Sequence, residues 1–172
     1  RPLAAALTDA AFATLLLDLL TTREESVDRY TGEYRFDIPR LARRLLAAHD
    51  WPSDEALARG LRVGCFGAST GAAAAIIAAA ERPTIAAVVS RGGRPDLAGA
   101  HLPRVQVPTL LIVGGDDEPV IEMNEAARVR MTANVRLEIV PGATHLFEEP
   151  GALEQVSRLA IAWFDEHLPR SF

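Results

Sequence analysis

Short apolar runs and helical stripes alternate along this chain. Residues 3–9 read as the second half of a helix rich in Ala and Leu. Residues 12–20, Phe-Ala-Thr-Leu-Leu-Leu-Asp-Leu-Leu, are almost continuously apolar and short, which predicts a parallel strand covered on both faces. Asp18 interrupts that run and is expected to be buried and held by backbone donors, with a substrate contact as the other reading. Residues 21–37 are polar and predict a solvated excursion. Asp37 followed by Ile38-Pro39 marks a helix start, and Leu41, Leu45 and Leu46 continue it as a stripe to about Ala48. A short further helical turn is expected at 53–59.

The second part of the chain is more regular. Strands are predicted at 61–66, 85–89, 109–113 and 135–140, with helices at 70–81, 120–131 and 153–167 and a single helical turn at 96–101. The last helix gathers Val156, Leu159, Ala160, Trp163 and Phe164 on one face. Strands alternating with helices in this way predict right-handed crossovers and an open, mostly parallel sheet, that is, a three-layer α/β/α sandwich. Functional residues of such sheets collect beyond the carboxyl ends of the strands. Three groups fall there: Ser69, the acids Asp116, Asp117 and Glu118, and His145.

Ser69 lies in Gly67-Ala68-Ser69-Thr70-Gly71, between a predicted strand and a helix that opens on small residues. This is the G-x-S-x-G elbow in its strand-turn-helix setting, where the side chain at the centre projects from a strained turn. A serine hydroxyl needs a base, usually an imidazole oriented by a carboxylate. The chain order Ser69, acid, His145 is the order expected of an α/β-hydrolase. His145 follows a strand through a Pro-Gly turn, whereas His49, His101 and His167 lie in or near helices and read as surface residues. Among the adjacent acids Asp117 is favoured, with Asp116 and Glu118 as alternatives. The Thr70 N–H is the expected first oxyanion donor. A second donor would come from a loop after an earlier strand, which this stretch of chain does not supply. Arg91, on the glycine-rich loop 90–95, could meet a substrate carboxylate, as could Arg94, or either could be a solvated loop arginine.

Composition narrows the class further. Of 172 residues 49% are hydrophobic and 24% charged, which suits one globular domain with a sizeable core. The formal net charge of -5 argues against an extended nucleic-acid surface. No apolar run is long enough to span a bilayer, and no signal peptide opens the chain, so a cytoplasmic protein is the expectation. Cys65 is the single cysteine; no internal disulfide is possible, and a buried small hydrophobe within its strand is expected rather than a reactive thiol. No metal-ligand spacing, Walker loop or dinucleotide fingerprint occurs, so neither a metal nor a cofactor is expected.

Five segments carry a family resemblance: Leu-Leu-Leu-Asp-Leu-Leu-Thr at 15–21, Cys-Phe-Gly-Ala-Ser-Thr-Gly at 65–71, Val-Val-Ser-Arg-Gly-Gly-Arg-Pro-Asp-Leu-Ala-Gly at 88–99, Leu-Leu-Ile-Val-Gly-Gly-Asp-Asp-Glu-Pro-Val at 110–120, and Pro-Gly-Ala-Thr-His-Leu-Phe at 141–147. Together they resemble the dienelactone-hydrolase-like branch of the α/β-hydrolase superfamily. The resemblance implies the α/β-hydrolase fold, Ser69, Asp117 and His145 as catalytic residues, and a small-molecule ester or lactone as substrate. The original dienelactone hydrolases carry a cysteine nucleophile where this chain has Ser69. Some relatives are joined to a phosphoribosyltransferase domain.

The resemblance also implies three strands and an oxyanion loop ahead of the helix at 3–9, so the chain is expected to be an amino-terminally shortened hydrolase domain. Without the strand that separates them, the strands expected at 12–20 and 61–66 would stand about 10 Å apart, twice the spacing at which neighbours pair. The leading expectation is a serine hydrolase that forms an acyl-enzyme. The alternatives are a binding module that keeps the pocket without turnover, or an acyltransferase or thioesterase using the same residues.

Overall fold

The computed structural model describes residues 2–51 and 61–168; the helical turn expected at 53–59 lies outside them. Four strands form its centre: β1 (Val63–Ala68), β2 (Ile85–Arg91), β3 (Thr109–Gly114) and β4 (Val135–Val140). They pair in parallel in the order β1-β2-β3-β4, so every carboxyl end lies along one edge of the sheet. The register places Ala68 beside Arg91 and Arg91 beside Ile112. β2 and β3 lie inside the sheet and carry apolar runs, 85–89 and 110–113, because both of their faces are covered.

Helices cover both faces, which gives a three-layer α/β/α sandwich. On one face lie α3 (Ile38–Asp50) and α4 (Thr70–Glu81), together with a 3-10 segment (Pro95–Arg104). Alanines at 72–75, 78 and 79 let α4 press close to its neighbours, and Ile76 fills the core among them. On the other face lie α1 (Pro2–Asp9) and α6 (Ala152–His167), where Val156, Ala160, Trp163 and Phe164 meet Ala87, Val89, Leu110 and Ile112. The remaining helix, α5 (Glu118–Arg130), follows β3.

Three expectations fail in the amino-terminal region. Residues 12–20 do not form a strand. Phe12 packs edge-on against Phe164, Leu19 and Leu20 touch the α3–α4 cluster, and between them Leu15, Leu16 and Leu17 are exposed at 64%, 65% and 43%. The pattern has the composition of a covered strand, but no described strand lies beside it, and a strand exists only through its neighbours. Asp18 is accordingly exposed rather than buried.

Residues 21–37 are not a plain excursion either, since they hold α2 (Thr22–Thr31). Thr21 caps this helix with Glu24 in a capping box, and Gly32 ends it in the left-handed conformation. Glu24 also reaches Arg44 and Arg40 on α3 and thereby fastens one helix to the other.

Candidate active site

Ser69 stands between β1 and α4 with φ 49° and ψ −124°, a strained backbone for a residue with a Cβ. The turn closes because Gly67 has no side chain: a Cβ there would lie 2.5 Å from the Gly71 carbonyl oxygen and 2.6 Å from the Ala72 Cα. Hydrogen bonds then hold the elbow in place. The Ser69 N–H donates to the Arg91 carbonyl at 3.3 Å, and the Ser69 carbonyl accepts from the N–H groups of Ala72 and Arg94, both at 3.1 Å. Thr70 begins α4, where N–H groups have no intrahelical acceptor and the helix dipole favours negative charge.

Asp117 and His145 come from the loops after β3 and β4, along the same carboxyl edge of the sheet. β3 ends at Gly114, whose lack of a Cβ admits the carbonyls of Ala143 and Thr144 from the loop after β4. Two bonds lock these loops together, Gly115 N–H to Val140 carbonyl at 2.8 Å and Asp116 N–H to Ala143 carbonyl at 3.0 Å. The lock brings the next residue, Asp117, beside His145. His145 Nδ1 lies 2.7 Å from Asp117 Oδ2. An ionised carboxylate only accepts, so Nδ1 carries the proton and Nε2 is the nitrogen left with a lone pair. Asp117 is also the N-cap of α5, yet its side chain makes no capping bond and is committed to the imidazole. Asp116 and Glu118 are exposed.

Arg91 ends β2 between these two halves. Its Nη1 donates to the Leu146 carbonyl at 3.2 Å, and its guanidinium lies 5.4 Å from the centre of the Phe147 ring. Burial makes its charged form less favourable than in an ordinary arginine. Arg94 is engaged differently, in a two-bond ion pair with Asp96 at 2.9 and 2.7 Å. Cys65 lies four residues before Ser69 within β1, buried, and desolvation pushes its thiol up to about 12.

The structure thus joins His145 to Asp117 directly, and joins Ser69 by backbone to the end of β2, whose next residue, Gly92, lies against His145. Sequence reasoning missed Asn124, a fully buried amide on α5 that bonds to the Gly93 carbonyl. Its signal was present: Val120, Asn124 and Ala127 form a buried helical stripe in which Asn124 is the one polar member. Among the described residues no group of three or more His, Cys, Asp or Glu side chains could hold a metal ion, and no helix is long and apolar enough to cross a membrane.

A parallel sheet covered by helices on both faces, a strained G-x-S-x-G elbow after β1, and a His–Asp pair after β4 and β3 are the frame of the α/β-hydrolase fold. The model of the dienelactone hydrolase family matches residues 22–166, and the chain belongs to that family. A dienelactone hydrolase from Anabaena variabilis is 57% identical, with a TM-score of 0.91 over 98% of this chain and 78% of its own. A dienelactone hydrolase-like promiscuous phosphotriesterase from metagenomic libraries shares the fold at 21% identity, with a TM-score of 0.71 over 94% of this chain and 77% of its own. A Mycobacterium tuberculosis H37Rv protein named "Putative phosphoribosyl transferase" is 54% identical over 169 residues, 98% of this chain. The chain spans 37% of the length of the curated mycobacterial relatives it matches.

Family membership corrects one expectation. Dienelactone hydrolases characteristically work with a cysteine nucleophile beside His and Asp, so a serine hydrolase proceeding through an acyl-enzyme is not the class this match defines. The family shown is that of the dienelactone hydrolases. Within it, this chain carries Ser69 at the elbow and its single cysteine inside β1.

Proposed function

We propose that the chain is the hydrolase domain of a dienelactone-hydrolase-type enzyme that cleaves a small carboxylic ester or lactone, with Ser69, Asp117 and His145 as its catalytic residues. The observation that carries this reading is the 2.7 Å bond between His145 Nδ1 and Asp117 Oδ2 at the edge of the sheet where the elbow also lies. Asp117 fixes the imidazole tautomer, so that Nε2 takes the proton of the attacking hydroxyl as its oxygen bonds to the carbonyl carbon, and gives that proton to the alkoxide as the ester C–O bond breaks. Thr70 N–H, at the amino end of α4, is the oxyanion donor in this reading. Arg91 is its anion contact, supported by a desolvated guanidinium whose described partners are a carbonyl and an aromatic ring. The single unpaired cysteine fits a cytoplasmic setting.

Short p-nitrophenyl esters test the assignment. Asp117→Asn is expected to lower kcat on the order of 10⁴-fold, since the amide reverses the tautomer, with little change in stability. Ser69→Ala is expected to remove turnover, whereas Ser69→Cys supplies the family's customary thiol at the elbow and is expected to retain it. Wild-type-like turnover by Asp117→Asn or Ser69→Ala would refute the assignment.

A further inference from the structure

We infer that Asn124 is a positioning residue that holds the elbow in register with the His145–Asp117 pair; the inference rests on the function proposed above. Asn124 has no solvent exposure and sits on α5, two turns beyond Asp117. Its Nδ2 donates to the Gly93 carbonyl at 3.0 Å and to the Val120 carbonyl at 2.7 Å. Both partners are pure acceptors, which fixes the amide orientation, because the opposite one would set Oδ1 against two carbonyl oxygens.

The bond to Gly93 matters because of what the 92–94 segment carries. The N–H of Gly92 donates to the Ile112 carbonyl on β3 at 2.7 Å, and a Cβ at Gly92 would lie 3.0 Å from the His145 carbonyl oxygen and 3.6 Å from its Cε1. Two residues later the Arg94 N–H donates to the Ser69 carbonyl at 3.1 Å. One three-residue loop therefore touches the histidine on one side and the elbow on the other. Asn124 ties the middle of that loop to the helix that begins at the histidine's acid.

Local packing explains why this amide is sensitive. The Ser90 hydroxyl is buried and lies so close to Gly93 that any Cβ there would collide with it and with the Ala72 side chain. The loop cannot be held by side chains of its own at that point. Neither Ser90 Oγ nor Asn124 Oδ1 has a protein partner among the described residues, so the Gly93 bond is the tie that α5 gives to the loop. A buried donor removed from a carbonyl leaves that carbonyl unsatisfied, and the loop shifts to find water. A displacement of about 1 Å at a catalytic group is enough to lower a rate on the order of 10²-fold.

The test compares Asn124→Ala with Val120→Ala, a buried neighbour on α5 whose side chain makes no bond to the loop. Each full-length variant is assayed on a p-nitrophenyl ester, and the downfield proton resonance of His145 Nδ1 is recorded by NMR. Asn124→Ala is expected to keep that resonance while kcat falls at least tenfold and KM stays within threefold. Val120→Ala is expected to lose stability but keep kcat within threefold. Asn124→Ser, whose hydroxyl can bond back to the Val120 carbonyl but not also to Gly93, is expected to match the alanine variant in kcat. Equal kcat losses in Asn124→Ala and Val120→Ala, or an unchanged kcat in Asn124→Ala, would overturn the inference. So would failure of both Asn124 variants to fold, which would make the residue a requirement of folding. A wild-type protein without ester turnover would instead sink the proposed function.

Discussion

The segments 12–20 and 85–91 have nearly the same sequence character and opposite fates. Each is a short run of apolar residues. The second became β2, with Val88 and Val89 fully buried, and the first became a stretch outside any helix or strand, with Leu15 to Leu17 turned to solvent. β2 has a partner on each side, supplied by β1 and β3, while no described strand lies beside 12–20. Apolar character makes a strand possible; the neighbours decide whether it forms.

The two regions are also held by different forces. Around the sheet, stability comes from buried aliphatic and alanine packing on both faces. In the amino-terminal region, α2 is fixed by charge: Glu24 to Arg44 at 2.6 Å and to Arg40 at 3.2 Å, and Asp28 to Arg35 at 2.6 Å. Arg44 also reaches the Leu19 carbonyl at 2.7 Å and so ties the exposed stretch to α3.

The largest effect expected from breaking this contrast is at the elbow. Gly67→Ala forces a methyl into the backbone of Gly71 and Ala72, which cannot yield as a side-chain end would. It is expected to cost about 3 kcal/mol in urea unfolding and to abolish ester turnover. A tolerated Gly67→Ala would show that the strand and helix are less tightly apposed than described.

Next comes a matched pair of truncations. Ile112→Ala, in the covered centre of β3, is expected to cost about 2–5 kcal/mol, and Leu16→Ala less than about 0.5 kcal/mol, both read from denaturant midpoints. A cost of about 2 kcal/mol or more at Leu16 would mean that other residues cover this face in solution.

The smallest effect separates the two regions by pH. The side-chain bond from Arg44, aided by Thr21, holds Glu24 well below its ordinary value of 4.5. For Asp28 burial acts to raise the value, but the combined backbone and side-chain bonds from Arg35 and the backbone bond from Tyr34 outweigh it and leave it below 3.8. A carboxylate whose folded pKa is depressed lends stability above its unfolded pKa and loses it as pH falls toward the folded one. Amide exchange in α2 is therefore expected to accelerate as pH drops below the ordinary carboxylate range, after correction for intrinsic rates, while β2 and β3 stay protected. Simultaneous loss of protection in both regions would erase the distinction.

Much of this was legible in the residues. α4 and β4 fall where the pattern put them, because their apolar periods are clear and their neighbours lie nearby in the chain. α2 was missed although its start was written in Thr21 and Glu24, the two halves of a capping box masked by the surrounding charge. Among Asp116, Asp117 and Glu118 the pattern could only state a preference. Which of them meets His145 depends on backbone bonds from Gly115 and Asp116 to residues of another loop, and no local rule encodes those. For Asn124 the helical stripe signalled burial, but its partner is a backbone carbonyl 31 positions away, which no local pattern names.

Cys65 leads to a use outside function. The chain has one thiol, buried in β1, the outermost strand of the sheet among the described residues, and with its thiolate suppressed by burial. Opening of β1 exposes it further to an alkylating reagent, so the rate of modification in native buffer is expected to follow that opening. Because no second cysteine competes, every modified molecule reports the same event. The protein thus carries its own site-specific gauge of how often the strand leading into the elbow comes undone.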